Sequence, residues 1–221
     1  LLDPSESRRR RSRRIAHLTA SSALKRRIKQ VKPIYRIVAI ATLIATATHG
    51  SVVAGSPVYV GTKQARPTSM NDIDHTTWNT LLKKYVNDDG QVNYRAWKAS
   101  RTDVAALDMY LDHLSSARRQ VAASREARLA FWINAYNAVT IRGILREYPT
   151  TSIRNHTAKL WGYNIWKDLQ LYVGGAPVSL DAMEHEILRK MSEPRIHFAI
   201  VCASISCPRL LNQAYLADKL D

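Results

Sequence analysis

From about residue 71 onward the chain alternates apolar clusters with turn signals, and the spacing within the clusters is mostly helical. Trp78, Leu81, Leu82, Tyr85 and Val86 recur every three or four positions, which predicts a helix that Thr76 can cap and that NDDG at 87–90 ends. A short helix with Trp97 follows, and Val104, Leu107, Met109, Tyr110, Leu111 and Leu114 predict another. After a polar Ser/Arg stretch comes the strongest pattern, REARLAFWINAYNAVTIRGILREY over residues 125–148, whose centre is apolar on every side. That pattern belongs to a buried central helix. Asn134 and Asn137 are embedded in it, three residues apart and on the face of Ile141, so both carboxamides leave the helix together into the interior. A buried carboxamide must find partners. Those partners are either the backbone of a neighbouring loop or, in a catalytic reading, a histidine or a substrate amide.

The stretch after Pro149 is irregular, with His156, Trp161, Gly162 and Trp166 in a loop whose aromatics either line a groove or fill the core. LQLYV, GG and APVSL then spell a hairpin turning at Gly174 and Gly175. Ser179 caps the next helix, LDAMEHEILRKM, where steps of about 100° place Leu180, Met183, Ile187, Leu188 and Met191 on one face. Glu184 falls in the middle of that face, as a structural partner of a buried arginine or backbone N–H or as a tuned acid or base. His185 lies on the flank beside Asp181 and Arg189. Residues 196–201 read as a buried strand with His197 on the side of Ala199 and Val201. Pro208 opens the amphipathic run LLNQAYLADKL, which predicts a helix with Cys207 at its N-cap.

These elements predict an α+β fold: a single domain with a buried central helix, several further helices and a small, mainly antiparallel sheet that includes the Leu169–Val173 and 196–201 strands. The domain occupies 71–221, after a Gly, Pro, Thr and Ser-rich linker at 55–70. With 221 residues and 46% hydrophobic content, one core is expected.

The formal charge of +15 invites a nucleic-acid reading until it is located. Residues 1–55 hold 12 of the 33 lysines and arginines against Asp3 and Glu6, and the remainder carries only +5 without a basic helix. The folded part is therefore not expected to bind nucleic acid. The basic front precedes an apolar run at 37–47 and a Val52-x-Ala54 pattern of small residues, the order of an export signal cleaved after Ala54. Residues 1–54 are read as a basic segment plus signal peptide, with a start near Val31 leaving a signal of ordinary proportions. The expected destination is the periplasm or the exterior, and membrane contact is expected only through that signal.

Cys202 and Cys207, the chain's two cysteines, admit three readings. A disulfide fits an exported protein. A reactive thiol at Cys207 fits a helix N-terminus, where backbone N–H groups and the dipole stabilise a thiolate. Zinc ligation with His197 or His185 fits the C-x4-C spacing, although no second compact pair accompanies it. No cofactor and no metal is assigned.

WNTLLKKYVNDDGQVNYRAW from Trp78, AFWINAYNAVTIRGIL from Ala130, YPTTSI from Tyr148, VGGAPVSLDAMEHEILR from Val173 and RIHFAIVCASISCPRL from Arg195 together resemble the domain of unknown function 547 family. The resemblance spans about two thirds of the chain. It implies that Asn134, Asn137, Glu184, His185, His197, Cys202, Ser206, Cys207 and Pro208 occupy signature positions and that relatives continue beyond Asp221. It implies no reaction. Three functions are carried forward. In the first, a cysteine-dependent hydrolase or acyl transferase acts on an amide or ester, with Cys207 as nucleophile, His185 as base, Glu184 or Asn137 orienting it, and N–H groups of residues 204–207 as the oxyanion site. In the second, a non-catalytic envelope module binds a peptide, glycan or small molecule beside Trp161 and Trp166, and the cysteines are a staple. The third is a metal-supported domain.

Overall fold

The computed structural model describes residues 56–62, 66–157, 162–203 and 207–220. The expected export signal and the N-terminal basic segment lie outside them, as do Trp161 and Ser206.

Among the described residues five α-helices precede the hairpin, and one of them dominates the core. Helix α1 (Thr76–Tyr85) turns Trp78, Leu81, Leu82 and Tyr85 inward. Helices α2 (Tyr94–Ala99) and α3 (Arg101–Ser115) follow, each opened by a side-chain cap, Asn93 and Ser100. Their aromatics meet in the interior, Trp78 stacked on Tyr110 at 5.8 Å and Tyr85 on Trp97 at 4.7 Å. Met109, expected inside, is exposed. Helix α4 (Arg125–Glu147) is capped by Ser124 and buried along nearly its whole length, as its all-round apolar pattern requires. Pro149 prevents its continuation.

After the short helix α5 (Ile165–Asp168), strands β2 (Leu169–Val173) and β3 (Ala176–Ser179) form the expected antiparallel hairpin. Gly174 and Gly175 hold its two turn positions at φ of 66° and 88°, where a side chain would be strained. The third strand is not the expected one. Strand β1 (Val58–Val60) comes from the stretch read as linker and pairs parallel to β2, so the sheet has order β1-β2-β3 and is mixed. Leu169, Leu171 and Val173 face the core on alternate positions. Gly143 lets α4 approach them, because a Cβ there would lie 2.6 Å from Leu169 Cδ2 and 2.7 Å from Ile165 Cδ1.

Ser179 Oγ accepts the Ala182 N–H and starts helix α6 as expected. The element opens over Leu180–Ala182, widens into π-helical turns at Met183–Leu188 and closes as a 3-10 turn at Arg189–Met191.

Two expectations for the C-terminal part are overturned. Residues 196–201 are not a strand: Ile196–Ala199 form a one-turn helix, α7, before Ile200 turns extended. Residues 208–216 are not a helix, and only the 3-10 turn Ala217–Lys219 follows. Cys207 thus does not head a helix, and the dipole argument for its thiolate falls. The physical reason lies in who satisfies this backbone. Asn137 Nδ2–H donates to the Ala199 carbonyl and Asn137 Oδ1 accepts the Val201 N–H, both at 2.9 Å. Asn134 does the same for one residue, donating to the Tyr215 carbonyl at 2.7 Å and accepting its N–H at 3.0 Å. Asn79 Oδ1 on α1 accepts the Ala214 N–H. Side-chain amides stand where a strand neighbour or a helical turn would have been.

Candidate functional site

Residues 199–203 and 207–215 form a strap tied to α1 and α4 by these amides. Its middle is closed by a Cys202–Cys207 disulfide with Cα atoms 6.2 Å apart. The Cys202 N–H points at Cys207 Sγ, 3.3 Å away. On its far side the strap lies on the turn at 87–90: a Cβ on Gly90 would come 2.7 Å from the Leu210 N, and Asn212 Nδ2–H donates to Asp88 Oδ1 at 3.0 Å. Gly90 also has a φ of 78°, so the turn and the contact both call for glycine.

Between the strap, that turn and α4 lies a cavity of about 420 Å³. Cys207, Asn137, Thr140, Tyr94 and Val201 line it, and Asp89 and Arg209 add opposite charges. Thr140 Oγ1 is buried and has no hydrogen-bond partner among the described residues, an uncommon state for a buried hydroxyl. The Tyr94 phenol is pushed well above its usual range by burial alone. The cavity therefore offers neutral hydroxyls. Both hydrogen-bonding ends of Asn137 are already engaged by the strap.

The predicted catalytic residues are not gathered here. Among the described residues that line the cavity there is no histidine and no Glu184. Glu184 on α6 accepts from Arg189 Nη2 at 2.7 Å, and its charge adds to the burial that raises the Tyr136 phenol. That is an ion pair with a half-exposed arginine, not with the buried one expected. His185 is half exposed, with Nδ1–H donating to the Asp181 carbonyl at 3.1 Å. Its only carboxylate neighbours among the described residues are Asp181 at 3.7 Å and Glu184 at 4.0 Å. His197 is exposed on α7, and Phe198, placed inside by the strand reading, is 75% exposed. Asn134 and Asn137 orient backbone, not a histidine. Of the expected oxyanion loop, residues 204–207, the first three positions lie outside the described residues. Among those described, no group of three or more His, Cys, Asp or Glu could hold a metal ion. Trp166 packs partly buried against the core, so it is the core filler that its sequence also allowed.

Sequence reasoning passed over Asn79, Tyr94, Gly90 and Thr140. The signal for Thr140 was present: it continues the three-residue stripe of Asn134 and Asn137 along a helix otherwise apolar on that side. NDDG was read only as a helix breaker, although the strap docks on it.

Fold and site define an α+β domain in which a buried helix uses carboxamides to carry a disulfide-closed strap over a cavity. Residues 121–221 match the family described as "Protein of unknown function, DUF547", and this part of the chain belongs to that family. The match covers α4, the hairpin, α6 and the strap. No curated protein and no solved structure matches the chain.

Proposed function

We propose that this is an exported, non-catalytic binding module that takes an uncharged polar segment of a peptide or glycan into the strap cavity. The observation that carries the reading is the unpartnered, buried Thr140 hydroxyl in a cavity walled by a disulfide and without a histidine among its described lining. A hydroxyl in that state is completed by a ligand carbonyl or hydroxyl. The size suits a few residues or one to two sugars. A disulfide is favoured by an oxidising compartment, which supports the export reading.

Thr140→Val tests it, because the two side chains have nearly the same shape. Without ligand, the substitution removes an unsatisfied hydroxyl and should raise stability by about 1 kcal/mol. With trialanine or chitobiose as probe, shifts in backbone NMR signals should cluster at α4, the 87–94 turn and the strap in the wild type, and fall by roughly tenfold in affinity in the variant. Shifts elsewhere, or equal affinity in Thr140→Val, would sink the proposal.

A second reading, a thiol hydrolase or acyl transferase on an amide or ester, is favoured by one contact. The Cys202 N–H that faces Cys207 Sγ at 3.3 Å would stabilise a thiolate once the disulfide is reduced. It needs a base other than those lining the cavity.

A further inference from the structure

A second hollow, sharing no lining residue with the strap cavity, opens beside the first turns of α4 and the end of α6, with a volume of about 480 Å³. Arg119, Arg125, Arg128 and Lys190 line it against one carboxylate, Glu186. An adjoining hollow of about 530 Å³ beside the β2–β3 hairpin shares Arg119, Glu186 and Lys190, so the cationic surface runs on as a groove. The rest of the first hollow is apolar: Met70 and Trp132 are buried, and Ile187 and Met191 partly so.

The four cations are held differently. Arg119 lies over the Trp132 ring at 5.1 Å from its centroid. Arg125 donates to the Met191 carbonyl at 2.9 Å and stands 3.9 Å from Glu193. Among the described residues the side chains of Arg128 and Lys190 have neither a hydrogen-bond nor an ion-pair partner. Arg125 and Arg128 also stand in the first turn of a 23-residue helix, where the dipole is already positive and each added cation is unfavourable by about 0.3–1 kcal/mol. The fold thus engages Arg119 and Arg125 but, among the described residues, gives Arg128 and Lys190 no partner. An oxyanion would relieve their repulsion and accept the planar guanidinium fork, while the Trp132 and methionine wall would cover hydrocarbon.

We propose that this hollow binds an amphipathic anion, a phosphate or carboxylate head on an apolar body. Head and body each have their own wall, so the ligand needs both. The probe is octyl phosphate, titrated calorimetrically into the full chain at low salt, with inorganic phosphate and octanol as half-ligands. Octyl phosphate should bind at least about tenfold more tightly than either half. Arg128→Glu should weaken it by about tenfold or more, and because the dipole favours a carboxylate in that turn, its Tm should stay level or rise. Arg128→Lys should keep most of the affinity, and Lys190→Glu serves as the second variant should Arg128→Glu lose its circular dichroism. Equal binding of inorganic phosphate overturns the proposal. So does unchanged affinity in a folded charge-reversed variant, an absence of binding heat, or binding to phosphatidylglycerol vesicles without binding of the monomeric amphiphile.

Discussion

His75, just before α1, is 8% exposed and bonds through Nδ1 to the Tyr110 hydroxyl at 2.7 Å. Desolvation holds its pKa down to about 4 from 6.5, with Asp74 opposing the shift only in part. The folded state therefore keeps a neutral imidazole through a range in which the unfolded chain takes up a proton. Stability should be level above pH 6.5 and fall from there to about pH 4, by on the order of 3 kcal/mol at most. The carboxylates with depressed values, Asp103 and Glu193 at about 2 each and Asp74 also lowered, lose their contribution from about pH 4.5 downward, at the acid end of that window. Urea unfolding at pH 7, 5.5 and 4.5 separates the two: wild type should lose stability across the series, and His75→Asn should lose much less. Parallel curves would mean that His75 is protonated in the fold.

At the scale of elements, the strap behaves as irregular chain stabilised from outside. Asn137 reaches residues 62 and 64 positions further along the chain, and truncating it leaves a buried carbonyl and an N–H unpaired. Asn137→Ala should cost about 2–4 kcal/mol in urea unfolding. An exposed amide on the same domain, Asn155→Ala, should cost under about 0.5 kcal/mol. A loss at Asn137 no larger than at Asn155 would show that the strap does not depend on it. The same geometry explains what was legible in the sequence. Helices α1 to α4, α6 and the Gly174–Gly175 hairpin were readable because local periodicity and caps decide them. The demand of Asn134 and Asn137 for interior partners was readable too, and a loop backbone was one of the two answers foreseen. The identity of that backbone was not, because IHFAIV and LLNQAYLADKL carry strand-like and helix-like patterns that long-range side-chain amides override. Strand β1 was missed for a related reason: three residues in a Gly/Pro-rich stretch show no pattern until β2 supplies the partner.

For the whole molecule, the charge divides into two parts with different meaning. The excess in residues 1–55 belongs with the expected export signal, and the small excess of the folded part includes the cations of the hollow at the start of α4. No helix among the described residues is long and apolar enough to cross a membrane. The disulfide closes so short a loop that its loss should cost about 2 kcal/mol and leave the domain folded, since the amide contacts of Asn79, Asn134 and Asn137 remain. The cysteine pair is thus dispensable for the core but decisive for chemistry, because an intact bridge makes the cavity a binding wall and a reduced one exposes a sulfur beside an N–H donor. A stapled strap over a cavity can be checked by alkylating the native full chain at graded pH with and without reductant and mapping Cys202 and Cys207 by mass spectrometry. Neither cysteine should be modified until reductant is added, and the unreduced digest should yield a peptide linked through both. Modification of Cys207 without reductant, with a titration midpoint well below ~8.5, would contradict the staple and make the cavity the seat of a thiol nucleophile.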